Sequence, residues 1–189
     1  FDSMNWNRVC VMGHEGAGVV LACGPAVSNV RPGDRVLLNW AIPCGACFQC
    51  QRGAENICEK KPTVPSERFR HRDSFIGTSF NLGTMATHTV VPWQAAVKID
   101  IEIPFPSAAI LGCGVMTGFG SAVNAAKVER GSSVVVLGTG GVGLSVIQGA
   151  VYAGARKIIA VDRNPNRLEL ARQFGATDVV LAQKEDTGL

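Results

Sequence analysis

Four cysteines, Cys44, Cys47, Cys50 and Cys58, fall within one short stretch with the spacing Cys-x-x-Cys-x-x-Cys-x7-Cys. Thiolates this close along the chain can close a tetrahedral Zn–S4 shell, and a shell with no open position is structural rather than catalytic. Two disulfides or an iron–sulfur cluster could use the same sulfurs. The whole chain has seven cysteines, and an odd number, tightly clustered, fits metal ligands in a reducing compartment better than a disulfide framework. A second place for chemistry is Gly138-Thr139-Gly140-Gly141-Val142-Gly143, which matches G-x-G-x-x-G between an apolar strand and a helix. Glycines there let the backbone turn tightly and approach a pyrophosphate, which then sits on free N–H groups at the helix start. Asp162 stands at the end of the next strand, 24 residues after Gly138. Such a carboxylate accepts from ribose hydroxyls and repels a 2′-phosphate, which favours NAD, whereas a guanidinium at the neighbouring Arg163 could receive that phosphate. Third come His14 and Glu15 in Gly13-His14-Glu15-Gly16-Ala17-Gly18, and Cys113 between Gly112 and Gly114 far downstream. Taken singly, such a His is usually a satisfied core or surface residue and such a Cys a small buried hydrophobe.

These groups need elements to carry them. From Val19 to Leu38, apolar runs separated by Gly24-Pro25 and Arg31-Pro32-Gly33-Asp34 predict antiparallel strands. Val9-Cys10-Val11 reads as a strand interior. Residues 44–81 are polar, charged and rich in Pro and Gly without a sustained period, which predicts a loop lobe that needs an external staple. Strand character returns at Thr87 to Val91 and at Ala96 to Ile99. Ser107 is placed to cap a short helix through Leu111, and a second helix is expected from about Gly118 to Ala126. Then strand (Ser133 to Leu137), helix (to Ala153), strand (Lys157 to Val161), helix (Arg167 to Phe174) and strand (from Asp178) spell a right-handed parallel βαβαβ unit. The expected fold class is α/β: an antiparallel β domain over residues 1–114, carrying the lobe at 44–81, and half of a parallel-sheet nucleotide-binding domain over 115–189.

Composition sets the outer bounds. At 189 residues, 47% apolar and 17% charged, the chain describes an ordinary globular protein. A scattered net charge of +3 gives no argument for nucleic acid or a membrane surface. No uninterrupted apolar stretch approaches a membrane span, the first residues lack a signal-peptide layout, and the expected location is the cytoplasm.

The strings GHEGAGVV, PGDRVLL, CGACFQCQRGAENIC, GCGVMTGFGSA, VLGTGGVGLSVIQGA and AVDRNP together resemble the zinc-dependent, medium-chain alcohol dehydrogenases. The resemblance implies a GroES-like catalytic domain followed by a Rossmann domain. It further implies His14 and Cys113 as catalytic zinc ligands, with Glu15 as the nearby acid that can approach the metal. By the same likeness Thr117 lies beside the nicotinamide, Val142 forms part of the cofactor wall, Arg167 lies near the adenosine ribose, and Trp40 and Met85 line the substrate pocket. LNW, GCGVM and RGSSVVV are most similar to the class III-like branch, including mycothiol-linked formaldehyde and aryl-alcohol dehydrogenases. The implied activity is hydride transfer between a primary alcohol, or an aldehyde–thiol adduct, and NAD, in a homo-oligomer.

The chain also departs from that family. The family's first catalytic ligand is a Cys well upstream of the His, and only thirteen residues precede His14. Cys10 is too near to serve, and the nicotinamide-side strands are not seen after Leu189. The expectation is therefore an internal fragment, inactive by itself. Two other readings compete: a non-catalytic, zinc-stapled nucleotide-binding module, and a zinc-free quinone reductase, which the four-cysteine lobe disfavours.

Overall fold

A computed structural model describes residues 10–60, 69–72 and 74–183. The chain divides into two compact units, Phe1–Cys113 and Gly114–Leu189.

In the first unit, β2 (Ala17–Val19), β3 (Arg35–Leu38) and β6 (Ala96–Lys98) form an antiparallel sheet in the order β2-β3-β6, with Ala17 opposite Leu37 and Val36 opposite Lys98. Alternation along β3 sends Val36 and Leu38 into a core with Val30, Ile42, Leu82, Ala95 and Ala96. The turn into β3 is tied by Asp34, which accepts from the Arg31 backbone N–H and pairs with Lys98 at 3.1 Å. A second sheet has β5 (Ser74–Thr78) between β1 (Cys10–Val11) and β4 (Phe69–His71). Cys10 is therefore in a strand, but exposed.

Several local expectations need correction. Residues 44–81 are not all loop: they contain the helix α1 (Phe48–Gln51) and the β4–β5 hairpin. Strands of three and five residues are too short to show a period, and β5 pairs with β4 at Ser74 to Ile76 and with β1 at Gly77 and Thr78. Thr87 to Val91 forms no strand among the described residues; instead the Thr89 hydroxyl donates to the Leu82 carbonyl. Ser107 caps nothing. Helix α2 (Phe105–Ile110) starts two residues earlier, with Pro106 in the first turn, where its missing N–H costs nothing. Helical structure then runs on through a π turn at Leu111–Val115, α3 (Met116–Gly120) and a second π turn at Ser121–Ala125. This run of 21 residues, with mean hydropathy 1.4, is long and apolar enough to cross a membrane by length and composition alone. Two of its glycines lie against backbone. A Cβ on Gly112 would lie 2.2 Å from the Leu38 carbonyl oxygen, and one on Gly118 would lie 2.2 Å from that of Val142.

The second unit is a parallel sheet, β7 (Ser133–Leu137), β8 (Lys157–Asp162) and β9 (Asp178–Leu181), in the order β7-β8-β9. Helices α4 (Gly141–Tyr152) and α5 (Pro165–Gln173) connect the strands. Asn164 caps α5 by accepting from the Asn166 N–H at 2.9 Å. Val136, Leu144, Ile147, Ile158 and Leu168 fill the core with Ala150, Ala160, Ala171 and Ala176 between them. Burying each of the large aliphatic chains contributes about 2 kcal/mol, and the alanines let the helices lie close to the sheet.

Candidate functional site

The cysteine lobe brings all four predicted ligands together. Cys47 sits at the N-cap of α1 and Cys50 one turn on; Cys58 follows a 3-10 turn at Glu55–Ile57. Gly45 and Gly53, at φ of +71° and +80°, supply the left-handed turns that fold the loop back. The four sulfurs lie within 4.8 Å of one another, and three of the separations are 3.5, 3.9 and 4.0 Å. Sulfurs bound tetrahedrally at about 2.3 Å from a zinc ion are about 3.8 Å apart, so the lobe already has the edge length of a single-ion shell. All four are free thiols. Among the described residues their buried cluster contains only cysteines. The Cys50 backbone N–H holds the Cys47 thiol down to about 6, and burial pushes Cys50 up to about 12. The Ala46 backbone N–H also holds the Cys44 thiol below its ordinary value, so Cys50 is the thiol whose ionisation most needs a compensating cation.

The glycine-rich turn also forms as expected, between β7 and α4. Gly138 takes φ of +86°, and a Cβ on Gly143 would lie 1.9 Å from the Gly138 carbonyl oxygen. Gly140 is the N-cap, with no side-chain cap and no acidic residue in the first turn of α4. Asp162 ends β8 and meets the turn: its Oδ2 accepts from the Thr139 backbone N–H at 2.7 Å and from the Thr139 hydroxyl at 2.9 Å. Its Oδ1 accepts from the Asn164 N–H at 2.9 Å. An open pocket of about 710 Å³ is lined by Gly138, Asp162, Arg163, Asn164 and Arg167 among others. Val142 is half exposed on the first turn of α4. Thr139 is a participant that sequence reading passed over as the variable position of the motif.

The Thr139 backbone N–H, and then that of Asn164, hold the Asp162 carboxyl down to about 2. A folded-state value below the ordinary 3.8 means that the stabilisation is complete above about pH 4 and is lost as the pH falls toward 2. Acid unfolding of Asp162→Asn, followed by circular dichroism, should therefore lose part of the wild-type dependence in that window. An identical acid limb would show that the carboxylate does not stabilise the turn.

The third group converges on the end of β3. The Leu38 N–H donates to the Gly16 carbonyl at 2.8 Å, and Gly112 packs against the Leu38 carbonyl. The loop carrying His14 and Glu15 and the turn carrying Cys113 thus meet the same strand residue, one at its N–H and the other at its carbonyl. Met85 and Thr84 are bound to the same loop, through N–H bonds to the carbonyls of Met12 and Gly13. The Phe80 ring stands between two predicted site residues, 4.8 Å from the His14 ring and 5.2 Å from Trp40. Phe80 was not predicted. Its left-handed φ of 50° is followed by another at Asn81, φ 59°, and the Asn that tolerates that conformation was the one local signal. Met85 is 76% exposed and Thr117 is exposed in α3. Among the described residues, the four cysteines are the single group of three or more His, Cys, Asp or Glu gathered closely enough to share an ion; His14, Glu15 and Cys113 do not make a second.

Residues 2–101 match the family profile of the alcohol dehydrogenase GroES-like domain, and residues 141–188 that of the zinc-binding dehydrogenases. The chain is 43% identical over 182 residues to a probable S-(hydroxymethyl)glutathione dehydrogenase of Schizosaccharomyces pombe, covering 92% of this chain and 48% of that protein. Against the S-(hydroxymethyl)glutathione dehydrogenase of Haemophilus influenzae it is 43% identical over 176 residues, covering 89% and 47%. Among solved structures, benzyl alcohol dehydrogenase from Acinetobacter calcoaceticus superposes with a TM-score of 0.80 at 37% identity, covering 90% of this chain and 48% of that one. An alcohol dehydrogenase zinc-binding domain protein from Burkholderia ambifaria gives 0.85 at 34%, covering 94% and 50%. The chain spans about half the length of the curated relatives it matches.

Proposed function

This chain belongs to the zinc-dependent, medium-chain alcohol dehydrogenase family, and from that membership we propose that the protein carrying it transfers a hydride between a primary alcohol, or an aldehyde–thiol adduct, and NAD. The observation that carries the reading is the meeting of the His14 loop and the Cys113 turn at Leu38, on a chain that also holds an Asp162-braced glycine turn. His14 and Cys113, with Glu15 beside them, would hold a catalytic zinc ion, and Cys44, Cys47, Cys50 and Cys58 a structural one. A bound catalytic zinc ion supplies a Lewis acid that favours alkoxide near neutral pH, and bound NAD accepts the hydride. The chain's own residues bind and orient. Gly138, Gly140, Gly141 and Gly143 give the pyrophosphate a close approach, Asp162 accepts from the adenosine ribose, and Arg163 and Arg167 line the same pocket. Thr117 would lie beside the nicotinamide and Val142 would form part of the cofactor wall. Trp40 and Met85, with Phe80, give the substrate an apolar wall that keeps water from the reacting carbon. The two functional domains are residues 1–114 and 115–189, in a cytoplasmic homo-oligomer.

A second reading, a zinc-stapled nucleotide-binding module without catalysis, is favoured by the absence of a second close ligand group among the described residues. Metal content separates them: about two zinc ions per chain for the enzyme, about one for the module and none for a quinone reductase relative. The assay is alcohol-dependent reduction of NAD with benzyl alcohol, ethanol, and formaldehyde plus a thiol. His14→Ala is expected to abolish turnover and to release one zinc equivalent. Turnover unchanged in His14→Ala would overturn the assignment.

A further inference from the structure

Asp162 faces a charge balance that does not favour its selecting role. The open pocket it lines also holds two guanidinium groups, Arg163 and Arg167. Both attract a phosphate on the ribose 2′-oxygen, and a single carboxylate outweighs them only if it is held where the 2′-substituent must sit. A freely rotating Asp side chain at a strand end would not be so held.

The structure shows what holds it. Thr139 is 1% exposed, the most buried of the described polar side chains. It gives both of its donors, backbone N–H and hydroxyl, to the same carboxylate oxygen. Each carboxylate oxygen has about two acceptor sites, so Oδ2 is filled by Thr139. A ribose hydroxyl must therefore be accepted by Oδ1, which shares its capacity with the Asn164 N–H. The hydroxyl also crosses from the end of β7 to the end of β8, and so ties the glycine turn to the carboxylate that reads the nucleotide.

We propose that Thr139 is a positioning residue for nucleotide selection: its hydroxyl orients the Asp162 carboxylate so that the pocket takes an adenosine with a free 2′-hydroxyl and rejects one with a 2′-phosphate. The proposal rests on the reading of this turn as a dinucleotide site. Ionisation of Asp162 down to about pH 2 keeps the repelling charge in place over the whole working range. Backbone donation from Thr139 survives any side-chain replacement, so the effect of the hydroxyl can be isolated.

The test uses Thr139→Val, which keeps the shape and removes the hydroxyl, and Thr139→Ser, which restores it. Binding of 5′-AMP and of 2′,5′-ADP is measured by calorimetry, and the Asp162 carboxyl is titrated by carbon-13 NMR. Thr139→Val should lower the ratio of 5′-AMP to 2′,5′-ADP affinity by about fivefold and raise the Asp162 pKa, and Thr139→Ser should recover both. If Thr139→Val lowers thermal stability but leaves the affinity ratio unchanged, the hydroxyl is only a satisfied core group and the proposal fails while the nucleotide site stands. If the wild-type protein binds neither nucleotide, the site and the proposal fail together.

Discussion

Cys47→Ser should remove one equivalent of tightly bound metal and open the lobe around Cys44 to Cys58 to proteases. The reason is the lobe's composition. Its buried residues are the cysteines themselves, and α1 is only four residues long, far below the length at which a helix supports itself in water. Zinc binding to such loops is worth roughly 10–16 kcal/mol near neutral pH, more than a short polar segment can replace by any other contact. Losing one of four thiolates also leaves three close sulfurs without the shell that compensates their charge. Metal analysis by mass spectrometry and limited proteolysis read the two effects separately. Cys10→Ser is the control: this thiol is exposed and outside the cluster, so it should change neither. Full metal content in Cys47→Ser would mean that the cluster is not the structural site.

The cysteine lobe and the nucleotide half of the chain were legible in sequence because their constraints are local. A Cys-x-x-Cys spacing places sulfurs on one turn, and the glycine turn is dictated by what its own backbone meets within six residues. The parallel unit follows from apolar runs of strand length alternating with helical ones, and β9 begins where the pattern places it, at Asp178. What stayed hidden is set by partners distant in the chain. The end of β5, Gly77 and Thr78, pairs with β1 more than sixty positions earlier, and no period within five residues can announce that. Phe80 joins the His14 and Trp40 rings through a left-handed turn, a conformation that phenylalanine does not advertise. The short helix expected to end at Leu111 instead continues through Gly112, where the Leu38 carbonyl occupies the space a Cβ would need.

Gly143→Ala sets two opposing effects against each other at the nucleotide turn. Gly143 is within α4, where an exposed Gly→Ala change stabilises by about 1 kcal/mol through helix propensity. Here the added Cβ would lie 1.9 Å from the Gly138 carbonyl oxygen and 3.0 Å from its carbon. Both obstacles are backbone, so no side chain can swing away. Relief requires α4 to move off β7 by more than an ångström, which pulls Leu144 and Ile147 out of the core they share with Val136 and Ile158. Overpacking of that kind costs about 1–3 kcal/mol and more where the backbone itself must shift, so the clash outweighs the propensity gain. A net loss of about 2 kcal/mol in a domain this size lowers Tm by roughly 8–16 °C. The same displacement opens the Gly138 turn and should weaken 5′-AMP binding beyond detection. Gly141→Ala provides the contrast, since nothing lies within 4 Å of a Cβ there; its stability should be unchanged or slightly higher. Equal stabilities for Gly143→Ala and Gly141→Ala in urea titrations would show that α4 does not rest on the Gly138 carbonyl.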